Sequence, residues 1–243
     1  AGEFEPFFQP KGDMASERVV GAEALARWRH PQLGLMAPAA FIDTLENSGN
    51  IDPLTLVMIE QSALACRRWR QAGHPFDVSV NLSLVSLGDS MLAERLTNLV
   101  RKSGIDPQNM ILEITESAAM TDVGAALENL ARLRMRGFGL SIDDYGTGYS
   151  SMRQLARIPF SELKIDREFV SAVDTRREAR VLMESCVRMA RELGIKTVAE
   201  GVETPAEWDI VRSAGCDLAQ GYLVSKPVQC AAFLELAGRR FPS

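Results

Sequence analysis

The stretch ELKIDREFVSAVDTRREARVLMESCVRMARELGIKTVAEGVE (162–203) reads as strand, helix, strand. Its ends are short apolar or β-branched runs, ELKID (162–166) and KTVAEGVE (196–203). Between them Val181, Leu182, Cys186, Met189, Ala190 and Leu193 recur at helical spacing and predict one apolar face on a helix over 178–193. A strand that passes through a helix into a second strand is a unit whose two strands lie parallel. The same rhythm continues upstream in DVSVNLS (77–83), MILEITES (110–117) and GLSIDDYG (139–146), and downstream in LAQGYLVS (218–225). Pro205 opens a further helix at a favourable early position, and Pro107 marks a turn.

The beginning of the chain breaks this pattern. FEPFFQP (4–10) and RVVGAEALARW (18–28) read as two strands joined by a polar turn, with helices following near 38–47 and 53–72. Two early strands and six later ones make eight. The expected fold class is α/β, a variant (β/α)8 TIM-like barrel with an atypical N-terminal strand pair. An open doubly wound sheet is the alternative, but no glycine-rich GxGxxG follows the first strand. No linker rich in Pro, Gly or Ser interrupts the sequence, so residues 1–243 are expected to form one barrel, with residues 1–3 read as a cloning remnant.

The bulk composition narrows the function. The 243 residues are 46% hydrophobic and 24% charged, the balance of a globular protein with a sizeable core. A net charge of −5 argues against binding to a nucleic-acid polymer, which calls for a basic surface. Cys66, Cys186, Cys216 and Cys230 form no CxxC pair and lie apart from His30 and His74, which speaks against zinc and for a reduced, cytoplasmic setting. No apolar run reaches the length of a membrane span, and the first residues lack a signal-peptide pattern.

Polar residues fall near the C-terminal ends of the strand-like runs: Glu23, Asn81, Glu113, Asp143 with Asp144, Lys164, Glu200 and Gln220. In a barrel of this kind that rim is where several strands each contribute a catalytic side chain. Glu23, Glu113, Asp143, Asp144 and Glu200 together would repel one another unless protonated or neutralised. One or two divalent cations resolve the conflict, and carboxylates with the amide oxygen of Asn81 suit Mg²⁺ or Mn²⁺. Paired ions are a recurring device for cleaving phosphate esters.

The stretch GAEALARWRHP (21–31) resembles the signature of the EAL-domain phosphodiesterases, with Glu23-Ala24-Leu25 as the triplet that gives the family its name. FQP (8–10), VNLS (80–83), LEITES (112–117), DDYGTGYSS (143–151), LKID (163–166), VAEGVE (198–203) and QGYLVSKP (220–227) follow in the family's order over nearly the whole chain. The resemblance implies an enzyme that hydrolyses cyclic di-GMP to linear pGpG by in-line attack of a water activated by two ions of Mg²⁺ or Mn²⁺. It implies Glu23, Asn81, Glu113 and Asp143 at one metal, with Asp143 shared with a second that Asp144 and Glu200 complete. Lys164, Glu200 and Gln220 are implied in catalysis, with Lys164 and Gln220 orienting water or phosphate. Gln9, Leu25 and Arg27 are implied in the substrate groove, with Arg27 on a phosphate. Glu116 is implied as the anchor of the loop after the paired aspartates, and Glu203 as a nearby support. A homodimer involving the loop 143–151 and the helix near Ser151–Arg157 is implied as well, as is a regulatory domain that this chain does not contain.

Several residues read differently when taken singly. Glu116 alone is a hydrogen-bonded structural carboxylate, His30 a loop or packing residue, and Trp28 and Trp69 packing residues. Gly146-Thr147-Gly148 is a turn rather than a phosphate cradle, since no P-loop lysine follows. Tyr145, Val224 and Asn50 depart from the family's usual pattern, and none of them is a metal ligand. The competing function is a barrel that senses cyclic di-GMP without cleaving it. Such relatives typically lack a metal ligand or the lysine, whereas every expected position is filled here. A hydrolase for another phosphate ester is the third reading, because a fold does not fix a substrate.

Overall fold

The computed structural model describes residues 2–83, 85–116, 124–146 and 158–241. The chain opens with three strands, β1 (Phe4–Asp13), β2 (Arg18–His30) and β3 (Gly34–Met36), then helices α1 (Ile42–Asn47) and α2 (Ile51–Gln71). Alternation follows: β4 (Asp77–Asn81), α3 (Leu92–Lys102), β5 (Met110–Thr115), α4 (Gly124–Met135), β6 (Gly139–Tyr145) and β7 (Glu162–Ile165). The last part comprises α5 (Arg167–Val170), α6 (Arg177–Glu192), β8 (Lys196–Ala199), α7 (Pro205–Ser213), β9 (Leu218–Ala219) and α8 (Cys230–Phe233).

The sheet closes into a barrel. From β2 through β4, β5, β6, β7, β8 and β9 neighbours run parallel, and β1 completes the ring antiparallel to both β9 and β2. The expected eight strands therefore form the ring, and β3 is an extra hairpin strand on β2. His30 belongs to that hairpin, where its Nδ1 accepts the backbone N–H groups of Gln32 and Leu33.

Antiparallel β1 is fastened from outside. Phe8 meets Trp69 of α2 edge-on at 4.9 Å, and Trp69 lies 4.4 Å from Phe233 of α8. All three are fully buried. Aromatic contacts of this kind add about 1 kcal/mol each beyond burial. Trp28 packs on Phe4 and Phe41 and donates Nε1 to Glu3. Both tryptophans are packing residues, as read from the sequence.

Two expectations are corrected. LAQGYLVS was read as a strand over 218–225, but β9 ends at Ala219. Gly221 then presses against the Val202 backbone, and Val224 and Ser225 both donate to Gly221 O, so the chain turns instead of extending. On α6 the face read as apolar was Val181, Leu182, Cys186, Met189, Ala190 and Leu193. Of these Ala190 is buried and Cys186 and Met189 pack partly buried against the core, but Val181, Leu182 and Leu193 are exposed, and Ala179, Met183 and Val187 are buried in their place. Both sets have helical spacing and share Ala190, so periodicity alone did not decide which side of the helix meets the sheet. Pro205 does begin α7, with a reciprocal cap between Thr204 and Glu207, and Pro107 opens a short 3₁₀ turn.

The strands hold apolar side chains toward the helices, among them Val78, Val80, Leu112, Ile114, Leu140, Ile142, Leu163 and Ile165. The interior is polar: Gln9 pairs across from Glu23, Asn81 from Glu113, and Ser141 from Glu162. Register thus fixes which residues meet inside, because a slip of one residue would turn them all outward.

The turn after β9 gives a direct test. A Cβ on Gly221 would collide with Val202 N and O. Gly221→Ala is expected to cost about 3 kcal/mol as overpacking against backbone. Gly88→Ala, where a Cβ meets nothing within 4 Å, is the control. Thermal unfolding should show Tm lowered by roughly 6–12 °C in the first variant and little changed in the second; equal Tm values would show that Gly221 is not a packing constraint.

Candidate active site

The C-terminal ends of the parallel strands converge on one ammonium group. Lys164 Nζ lies 3.2 Å from Glu23 Oε2, 2.8 Å from Glu113 Oε2, 2.9 Å from Asp143 Oδ1 and 2.8 Å from Glu200 Oε1. These side chains come from β2, β5, β6 and the residue after β8. Lys164 and Glu113 are essentially without exposure, and Glu23 and Asp143 are buried. Burial acts to lower the Lys164 pKa, but Glu113, Glu200, Glu23 and Asp143 together raise it well above the ordinary lysine value. These four carboxylates therefore favour the ammonium form of Lys164.

The carboxylates form two groups. Oxygens of Glu23, Glu113 and Asp143 lie within 4.8 Å of one another, and so do oxygens of Asp143, Asp144 and Glu200. Asp143 belongs to both. In a regular strand Asp143 and Asp144 would point to opposite faces. Here the pairing of β6 with β7 shifts register between Ile142 and Tyr145, and Asp144 adopts a left-handed backbone with φ 55°. The irregularity re-aims Asp144 toward the site, a common use of such bulges. Asp143 Oδ1 also accepts the Asp144 N–H at 3.1 Å.

Burial pushes the Glu200 carboxyl up to about 8, with Asp143 and Glu23 adding repulsion that Lys164 only partly offsets. Asp144 is raised to about 6 by burial, then by Asp143 and Asp166. Glu23 is raised by burial and by Glu113. Glu113 goes the other way: burial acts to raise it, but Lys11 and Lys164 hold it down to about 2.

The donor set suits a hard divalent cation. Both groups offer only carboxylate oxygens, and Asn81 joins the first by donating Nδ2 to Glu23 Oε1 at 2.9 Å, which leaves Oδ1 as the atom it can offer an ion. Gln220 donates Nε2 to Glu23 Oε2 at 2.7 Å and to Gln9 Oε1 at 3.0 Å. Its Oε1 is buried without a protein partner among the described residues, a polar atom suited to a water or ligand.

Of the residues expected in a substrate groove, Gln9 reaches the centre through Gln220. Leu25 lines a cavity of about 700 Å³ that also touches Glu23, Asn81 and Asp143 and is walled by Ile51, Leu54 and Met58. Arg27 sits over the Phe7 ring at 5.5 Å and donates Nη1 to Ala26 O; burial lowers its pKa, and Tyr222 opposes this. Glu116 Oε2 accepts the Gly146 N–H at 2.7 Å, directly after β6. Glu203 is not in the carboxylate groups; it is exposed and pairs with Arg167 at 3.4 Å, beside a smaller cavity that includes Glu200 and Gln220. Thr147 to Ser151, and the helix expected near Ser151–Arg157, lie outside the described residues.

Lys11 and Glu162 were absent from the sequence reading. Both are buried inside the barrel, one layer below the strand ends. The signal was the strand period of two: Lys11 follows Gln9 on the same face, and Glu162 precedes Lys164.

The family model for the EAL domain matches residues 1–227. The cyclic di-GMP phosphodiesterase RocR of Pseudomonas aeruginosa is 38% identical over 234 residues, covering 96% of this chain and 60% of RocR. The structure of the MucR phosphodiesterase in complex with c-di-GMP superposes with a TM-score of 0.91 at 36% identity, covering 95% of this chain and 94% of that one. The BlrP1 structure from Klebsiella pneumoniae, a complex with calcium and cyclic di-GMP, gives a TM-score of 0.82 at 29% identity over 93% of this chain and 56% of that one. The chain spans 60%, 33% and 30% of the lengths of RocR and two further P. aeruginosa relatives, MucR and NbdA.

The raised Glu200 carboxyl gives a pH prediction. Its folded-state value of about 8 exceeds the ordinary 4.5, so the stability it contributes is full below 4.5 and is lost as pH rises through about 8. In EDTA the Tm should fall across that window. Mg²⁺ should raise Tm increasingly over the same range, because a cation binds the ionised form. A Mg²⁺ effect independent of pH would show that Glu200 does not take part. From the matched motifs, the strand order and the carboxylate geometry together, the chain belongs to the EAL-domain family.

Proposed function

We propose that this barrel is a metal-dependent phosphodiesterase that hydrolyses cyclic di-GMP to linear pGpG. The observation that carries the reading is the pair of carboxylate groups sharing Asp143 around a buried Lys164. Relatives named as cyclic di-GMP phosphodiesterases support the substrate class. Family members that only bind the dinucleotide typically lack part of this set, and the presence here of both carboxylate groups and the lysine supports cleavage.

Glu23, Asn81, Glu113 and Asp143 would hold one ion, and Asp143, Asp144 and Glu200 the other; Mg²⁺ or Mn²⁺ suits these oxygen donors. Ions bound there would supply a nucleophile at neutral pH and neutralise phosphoryl charge. The chain's own groups do the rest. Lys164 is preorganised, water-excluded positive charge aimed at developing negative charge, so its contribution grows at the transition state. Gln220, fixed through Nε2 by Glu23 and Gln9, presents Oε1 to orient a water. Arg27 grips a phosphate, Leu25 and Gln9 line the groove, and the apolar wall of the 700 Å³ cavity accepts a purine face. Glu116 anchors the turn at Gly146, so that the irregular β6 end keeps both aspartates in place. Glu203 supports the Glu200 side through Arg167.

The whole of 1–243 is taken as one catalytic barrel, acting in the cytoplasm as a homodimer under a regulatory domain outside this chain. Among the described residues no helix is long and apolar enough to cross a membrane. Light scattering of the purified protein tests the dimer.

Chelation should abolish turnover of cyclic di-GMP, and Mg²⁺ or Mn²⁺ should restore it, with pGpG identified by chromatography. Full activity in excess EDTA would overturn the metal mechanism. Lys164→Ala should lower kcat on the order of 100-fold while changing substrate Kd little. Arg27→Ala should mainly weaken binding, as for a phosphate grip. The reverse pattern in kinetics and titration would exchange the two roles.

A further inference from the structure

A second buried cation lies beneath the carboxylate ring. Lys11 projects from β1 into the barrel, two residues along from Gln9, and is 2% exposed. Its ammonium has three protons and three acceptors: Ser79 Oγ at 2.7 Å, Glu113 Oε1 at 3.0 Å and Glu162 Oε1 at 2.7 Å. Glu113 is thereby held from two sides, Oε1 by Lys11 and Oε2 by Lys164 at 2.8 Å. Glu162, Lys11, Glu113 and Lys164 form a buried chain of alternating sign. The last torsion of a glutamate is broad when nothing holds it. Two lysines on opposite oxygens fix the carboxylate plane of Glu113, and Glu113 is one of the three residues of the first carboxylate group.

We propose that Lys11, backed by Glu162, is a positioning residue that sets the carboxylate plane of Glu113 and, through it, the geometry of the first cation site. Groups one step removed from a metal orient its ligands, and losing them costs about 10–100-fold in metal affinity or activity. The proposal rests on the metal-dependent reading above. The bland alternative is that Lys11 and Glu162 merely neutralise each other in the core. The two part company when both charges are removed together. Replacing a buried pair by neutral groups of similar volume is often harmless to stability, whereas removing one partner is not. Lys11→Met combined with Glu162→Gln also leaves the net charge of the interior unchanged, so a change in metal affinity then reports orientation and not altered charge.

The experiment uses the full chain, with thermal unfolding, Mn²⁺ binding followed by electron paramagnetic resonance, and turnover of cyclic di-GMP. Lys11→Met alone should lower Tm by stranding Glu162. The double variant should recover Tm but bind Mn²⁺ about tenfold more weakly, with kcat reduced about tenfold and KM within about threefold of the parent. Recovery of Mn²⁺ affinity and kcat together with Tm would overturn the proposal and leave Lys11 a structural residue. If the double variant does not fold, Lys11→Gln with Glu162→Gln is judged by the same readouts; if neither pair folds, the role is structural and the proposal falls. Absence of turnover in the parent protein would sink the phosphodiesterase reading instead, and the Mn²⁺ measurement would still decide the part played by Lys11.

Discussion

The convergence of four carboxylates on the Lys164 ammonium is the constraint on which the rest of the structure depends. Glu23, Glu113, Asp143 and Glu200 come from strands that are mostly not neighbours in the sheet, and they meet only because the sheet closes. Closure in turn requires β1 to run against both β2 and β9. Such an arrangement is weak evidence for stability, since desolvating charges is costly, but it penalises any fold that breaks it, because each stranded charge would remain buried. The apolar outer faces of the strands and the Phe8–Trp69–Phe233 contacts supply the burial that offsets this cost.

A second constraint follows from alternation. One strand can direct only every other residue inward, so a regular barrel could not place two adjacent aspartates at the same centre. The protein meets this at Asp144 with a left-handed backbone and a shifted register against β7. Left-handed backbone at a non-glycine residue is tolerated where the surroundings impose it, typically at functional sites. The Glu116 contact to Gly146 lies directly after this irregularity, which ties the end of β5 to the end of β6.

The parts legible in the sequence were those written in local chemistry. Polar residues ending β-branched runs marked Glu23, Asn81, Glu113, Asp143, Lys164, Glu200 and Gln220, and the structure brings all of them to one end of the barrel. What escaped depends on distance in the fold. Lys11 and Glu162 are ordinary charges in sequence, separated by 151 positions, and become a pair only once β1 closes the ring. The buried face of α6 was read only in part, since Cys186, Met189 and Ala190 do face the core but Val181, Leu182 and Leu193 are exposed while Ala179, Met183 and Val187 are buried, and the direction in which the helix meets the sheet is a tertiary fact. The turn at Gly221 was read as strand because its cause, the Val202 backbone, is a tertiary contact.

The choice of lysine at the centre has its own physical reason. Four carboxylates lie within 3.2 Å of one nitrogen, and a compact ammonium can share its three protons and its charge among them. A guanidinium is planar and presents its donors as a fixed fork, suited to one or two carboxylates in its plane. The same shell of oxygens around a point is what a hard divalent cation requires. Counted with Glu162 and Asp144, six carboxylates face two ammonium groups, Lys11 and Lys164, in and around the barrel interior. The high values of Glu200 and Asp144 express that imbalance in protons. Glu113 goes the other way, held low by both lysines. The interior thus sets one carboxylate held low between two lysines beside Glu23, Asp144 and Glu200, which burial and mutual repulsion raise, so positive charge brought to those three favours their ionised form.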